Sequence, residues 1–291
     1  MVKLADIAVT HARTFSFQCS ACGKCCNSSP LLTMAELFRH QDRFIGCLSL
    51  RRVRPSHPEA RALAAMLGHV LPGGDGLMLA IQGVDYPSLA HCPALGDDNL
   101  CTIHAARPTT CAVVPLDAWT PDALQAAVLD SRRNGAAYIG ADCISEGTRD
   151  GYQELVRHGR ITSPGYAEAL AQRRAAEAAE KAEWGNAVFR LLLPELLAAP
   201  GGIAALPVEG YRTLALAPVL AVIAAGSEPD RLRCLAFIDA QVALIRRHVA
   251  AAIARKHPAD RPVTAMLRGF EAVLLRLAVS LREGQAVAIT T

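Results

Sequence analysis

Phe17-Gln-Cys19-Ser-Ala-Cys22-Gly-Lys-Cys25-Cys26 is the stretch on which the reading of this chain turns. Three cysteines follow one another at two-residue intervals, and a fourth stands directly behind the third. Thiolates at that spacing project into one concave loop, and Gly23 permits the sharp turn such a loop needs. A loop of this kind wraps a metal centre. In an extended chain, neighbouring side chains point in different directions. Cys25 and Cys26 are then poorly placed to share one small ion, and serve two centres or two irons of one cluster.

Outward from this loop, the chain has ten cysteines. Cys92, Cys101, Cys111 and Cys143 join Cys19, Cys22, Cys25 and Cys26 as candidate ligands. Cys47 and Cys234 lack partners in sequence; they read as small buried apolar groups on predicted helices. Eight thiolates fill two four-coordinate sites, zinc or cubane, or one cluster with four left for a second metal or an open iron. The evenly spaced run and the remote Cys92-Pro93 pair match the ligand pattern of bacterial iron–sulfur loops. A structural zinc module suits the two-residue spacings equally. A disulfide framework is the third alternative, weakened because a reducing compartment does not usually keep one.

Composition narrows the classes. With 291 residues, 52% of them hydrophobic and 20% charged, the chain can bury a large core and is not disordered. A net charge of +3 and an aromatic content of 5% argue against nucleic acid as a partner. Met1-Val-Lys-Leu-Ala-Asp6 lacks the apolar core of a secretory leader. Leu214–Ala225, the longest apolar stretch, contains Pro218 and is too short to span a bilayer. The expectation is a cytoplasmic protein without a membrane span.

The elements divide at 145–165, where Ser145-Glu-Gly, Gly159 and Ser163-Pro-Gly interrupt the pattern. Residues 1–150 read as a loop-rich metal-binding domain and 151–291 as an α-helical domain. The expected fold is mainly α, with a cysteine lobe packed against a C-terminal helical bundle. In the first region, Thr14–Gln18 reads as extended, Thr33-Met-Ala-Glu36 as a capping box opening a helix to about Gly46, and Pro58–Leu71 as a helix. Leu77–Ile81 reads as a strand, and Thr120-Pro-Asp starts a helix ending near Asn134-Gly135. The second region predicts helices over Tyr166–Leu197, kinked or ended by Pro194, and over about 207–225, 229–256 and 262–284.

Taken with Cys92-Pro-Ala-Leu95, Cys101-Thr-Ile-His104-Ala-Ala-Arg107-Pro108-Thr-Thr-Cys111 and Cys143, the opening loop resembles the CxxCxxCC zinc- or iron-chelating domain, the YkgJ-type cysteine cluster family, over roughly residues 15–150. The resemblance implies an iron–sulfur cluster, 4Fe-4S foremost, or zinc, and it implies that Cys143 is the family's eighth cysteine. His104 stands where the family commonly has tyrosine. More distantly, the chain resembles the flagellin lysine N-methylase, which implies S-adenosylmethionine as a further cofactor. Three functions follow: a redox or binding module with a protein or small-molecule partner, a cluster-dependent S-adenosylmethionine enzyme, and a zinc-stabilised interaction protein. No catalytic residue stands out.

The remaining candidates have plainer readings. His91 is a polar neighbour of the cysteines rather than a ligand. Arg107 either offsets thiolate charge or forms an ordinary salt bridge, and Lys24 reads as a solvated lysine. Asp97-Asp98-Asn99 is a polar turn. Pro72-Gly-Gly-Asp-Gly76 lacks the lysine of a phosphate loop. The arginine pairs at 132–133, 173–174 and 246–247 read as solvated helix faces.

Overall fold

The structure is a computed structural model and describes residues 13–135 and 143–284. The reading of residues 1–6 lies outside them. The first half comprises β1 (Thr14–Phe17), β2 (Leu31–Leu32), α1 (Met34–Arg39), β3 (Gly46–Val53), α2 (Pro58–Leu67), β4 (His69–Val70), β5 (Gly76–Gly83), α3 (Thr109–Val113) and α4 (Gln125–Gly135). The second half comprises β6 (Ile144–Glu146), β7 (Gln153–Arg157), β8 (Arg160–Ile161), α5 (Pro164–Glu180), α6 (Asn186–Ala198), β9 (Arg212–Leu214), α7 (Ala217–Ala224), α8 (Glu228–Arg255) and α9 (Arg261–Arg282). A wide helical turn, Lys181–Gly185, joins α5 to α6.

The protein is mainly helical and also holds two antiparallel sheets, one containing the extended stretch expected at Thr14–Gln18 and the other the strand expected at Leu77–Ile81. One runs β6-β1-β7-β8; the other runs β2-β5-β3-β9, with β4 also paired to β5. β1 pairs with β6 and β7, so the strand leading into the cysteine loop is fixed by residues 144–157. The stretch at 145–165 is therefore occupied by strands and their turns, with Gly147, Gly151 and Gly159 at positive φ.

Several elements depart from expectation for identifiable reasons. The capping box forms in full: Glu36 N–H donates to Thr33 Oγ1 at 3.1 Å and Thr33 N–H to Glu36 Oε2 at 2.8 Å. The helix nevertheless stops at Arg39, and Gly46–Val53 is a strand. A Cβ at Gly46 would stand 2.3 Å from Leu37 and 2.6 Å from Leu216, so the strand crosses α1 where only glycine fits. Cys47 is thus buried on a strand, not a helix, while Cys234 is buried on α8. Helix α2 ends at Leu67 because His69–Val70 pairs with β5. The helix expected at 207–225 begins only at Ala217, since Pro218 suits a first turn; Arg212–Leu214 instead adds to the edge of β3. Helix α6 continues past Pro194 to Ala198, one turn further.

Two apolar clusters result. The larger joins Leu48, Leu50 and Leu77 to Trp184, Val188, Leu220, Phe237 and Leu267. The smaller joins Phe15, Leu129, Ile144, Leu155, Val156 and Leu170. Each fully buried leucine contributes roughly 2 kcal/mol of transfer free energy.

A buried polar cluster ties α5 to the first half. Arg173, 1% exposed, donates to Glu177 at 2.7 Å and stands 4.0 Å from Glu36. Its expected place on a solvated face is wrong, because the helix packs that face against α3 and Arg173 pairs there with the buried Glu177. Arg174 instead reaches Asp122 and the carbonyls of Ala118 and Thr120. At the end of α5, the partly buried Glu180 accepts from the Met34 N–H, and burial lifts its carboxyl to about 7. A raised carboxyl pKa gives stability that is present in acid and lost as pH rises. Glu180→Gln should match the wild type below pH 4.5, the ordinary glutamate value, and exceed it above about pH 7 by on the order of 3 kcal/mol. Urea melts across this range measure the difference, and a difference independent of pH would contradict it.

Candidate metal centre

The cysteine loop begins where β1 ends. Gln18 N–H donates to the Cys143 carbonyl at 3.0 Å, which brings the remote Cys143 beside the loop. Gly23 turns the chain at φ +71°, as its place in the motif requires, and a Cβ there would meet Asn99 Oδ1 at 3.2 Å. Lys24–Cys26 then form a tight helical turn rather than an extended strand. The turn leaves the two sulfurs 3.9 Å apart, although Cys25 and Cys26 back onto different apolar clusters.

The other cysteines arrive by separate routes. Cys92 N–H donates to the Cys26 carbonyl at 2.7 Å. Cys101 is brought back to Leu95 by a bridge across the Asp97–Asn99 turn, in which Asp98 accepts the Leu100 N–H. Arg43 clamps that hairpin, donating to Thr102 Oγ1 at 3.0 Å and to the Pro93 carbonyl at 3.3 Å. Cys111 rides on α3, whose first N–H, that of Thr109, donates to Glu36 at 2.6 Å. Arg173 reaches Thr109 Oγ1 at 3.2 Å. The buried ionic cluster therefore sets the position of Cys111.

The thiols sort by the apolar cluster behind them. Cys26, Cys92 and Cys101 lie on the larger one, and Cys25 and Cys143 on the smaller. Cys111 interacts with Cys92, Cys101 and Cys25. Cys22 Sγ lies 3.9 Å from Cys143 Sγ, and Ser20 Oγ lies 3.1 Å from the same sulfur. Cys19 is exposed at the loop entrance. A cleft of about 380 Å³ is lined by Cys19, Cys25, Cys26, Cys92, Cys101 and Cys111, with Tyr166 and Arg107 also at its wall.

The electrostatics are graded. Burial pushes Cys92 up to about 11 and Cys111 up to about 12, and also raises Cys143. The bond to Cys26, then burial, raises Cys25, while the same bond lowers Cys26. Burial works against Cys22, yet the Lys24 N–H and the Ser20 hydroxyl hold that thiol below its ordinary value. Each close sulfur pair thus has one member favoured as thiolate and one as thiol.

Soft thiolates suit zinc or iron–sulfur centres. Four sulfurs around a zinc at about 2.3 Å stand roughly 3.8 Å from one another, near the separation of both close pairs. Among the described residues, no three histidine, cysteine, aspartate or glutamate side chains stand at closed coordinating geometry. The donor set fits such a group in chemistry, and the Cys22–Cys143 pair fits it in spacing. Cys47 and Cys234 are buried, as expected. His91 bonds the Leu89 carbonyl, Lys24 is exposed, and Arg107 pairs with His104. In the Pro72–Gly76 turn, Asp75 pairs with Arg52 and Arg54.

Arg43, Ser20 and the Glu36–Arg173 pair escaped the sequence reading. Ser20 alone had a signal, lying between two motif cysteines. In freshly reduced, chelator-treated protein, iodoacetamide should label the exposed Cys22 at least about 100-fold faster than Cys92 or Cys111. Peptide mass mapping reads the order, and equal rates at all three would contradict the arrangement.

No curated protein and no solved structure matches the chain. A family model does match, over residues 18–127: CxxCxxCC, described as a putative zinc- or iron-chelating domain. The span contains seven of the eight candidate cysteines and ends before Cys143. No helix among the described residues is long and apolar enough to cross a membrane. Over residues 18–127, somewhat more than a third of its length, this chain is similar to the CxxCxxCC domain.

Proposed function

We propose that the protein is an iron–sulfur protein with two centres and a redox role. Cys26, Cys92, Cys101 and Cys111 hold one, and Cys19, Cys22, Cys25 and Cys143 hold the other. The observation that carries this reading is that Cys26, Cys92 and Cys101 pack on one apolar cluster and Cys25 and Cys143 on the other, with the peptide Cys25-Cys26 at the junction; Cys111 joins the first set through Cys92 and Cys101, and Cys22 the second through Cys143. Eight thiolates in two sets of four match the ligand demand of two cubanes. When bound, such clusters supply one-electron transfer.

The chain's own groups suit that role. Burial behind Cys92 and Cys111 excludes water from one side of the first set. The Arg43 guanidinium acts on Cys92 and that of Arg132 on Cys25, and each partly offsets thiolate charge. Metal binding must displace protons from thiols that burial has raised, so loading releases protons.

Anaerobically purified protein should be brown and contain about eight irons and eight acid-labile sulfides per chain, as two cubanes require. Iron and sulfide analysis measures this. Zinc without sulfide would overturn the reading in favour of a zinc-stabilised protein, and folded metal-free material would overturn both.

A further inference from the structure

A second cleft, of about 510 Å³, meets the same sulfurs, with Cys25, Cys26, Cys92 and Cys111 in its lining. Its volume is that of a small-molecule site. The rest of its lining includes Arg51 on β3, Gln82 on β5 and Tyr211 just before β9. The strand register puts Arg51 opposite Met78 and Cys47 opposite Gln82, so Arg51 and Gln82 share one face of the sheet.

That face is equipped for a carboxylate. The Arg51 guanidinium lies over the Tyr211 ring, 5.5 Å from its centroid, and has no carboxylate partner among the described residues. Ser49 donates to Gln82 Oε1 at 2.8 Å, which fixes the amide and leaves its nitrogen as a second donor. The cleft is not uniformly basic, however. Asp117 and Glu177 line it together with Arg132 and the thiols. Glu177 is paired with Arg173 and Asp117 accepts from Thr120 Oγ1; those carboxylates would repel a doubly charged phosphate, whereas a molecule with one carboxylate and one ammonium group finds both signs of charge in the lining.

We propose that this cleft binds a small amino-acid-type zwitterion, its carboxylate on Arg51 and Gln82 and its ammonium group toward Asp117, against the sulfur-lined wall. Its role as a ligand or substrate beside a metal centre rests on the two-centre reading; the binding itself does not.

The test uses full-length, anaerobically purified protein. Each of the common L-amino acids is added singly at millimolar concentration in a thermal-shift assay, and the strongest is titrated by calorimetry. The same titration is run with its decarboxylated amine and its deaminated acid. At least one amino acid should stabilise the protein, and loss of either charged group should weaken binding about tenfold or more, as for a charge-assisted hydrogen bond. Arg51→Met should weaken it to the same degree, Arg51→Lys less, and Gln82→Leu should weaken carboxylate recognition without unfolding the sheet. Iron and sulfide content should be unchanged in all three variants. No stabilisation by any amino acid overturns the proposal, as does undiminished binding by the deaminated acid or by Arg51→Met. Zinc or no metal in material that still binds the amino acid would remove the two-centre reading alone.

Discussion

Two adjacent thiols facing two different hydrophobic clusters are the constraint on which this molecule depends. Cys25 packs against the smaller cluster and Cys26 against the larger. The tight turn at Lys24–Cys26 holds their sulfurs 3.9 Å apart. Burial in a low-dielectric environment makes each additional thiolate costly unless a cation shares it. The raised thiols of Cys92 and Cys111 are that cost in visible form. A positive centre among them removes it, and this couples the fold of the region to its ligand.

The remainder of the chain acts as a frame for that junction. Strand β1 is held by β6 and β7, so Cys19 and Cys143 approach together. Helix α5 contributes Arg173, which donates to Glu177, stands 4.0 Å from Glu36 and reaches Thr109 at the start of the helix bearing Cys111. A buried ion pair of this kind adds little net stability against an apolar substitute, but it fixes geometry, and losing one partner is expensive. Residues far beyond the cysteine motif thereby decide where a cysteine points. The long α8 and α9 complete the larger cluster.

What the sequence disclosed follows from how local each signal is. The capping box at Thr33, the turn at Gly23, the Asp98 turn and the helices at 228–255 and 261–282 rest on neighbours within a few residues, and all formed. The strand at 46–53 was hidden because all of its first five residues are buried, which erases the alternation that marks a half-exposed strand. Arg173 gave no sign of burial, since its partner Glu36 lies 137 positions away. The candidate cysteines were legible by type and spacing. Their division between two clusters was not, because it depends on which core each segment joins.

The division of the sulfurs is tested most directly by replacing one cysteine from each set. Cys111→Ser and Cys143→Ser, purified anaerobically and analysed for iron and sulfide, should each keep about half the wild-type complement, four of about eight irons, and the double variant close to none. Loss of all iron in either single variant, or of none in both, would contradict two independently held centres.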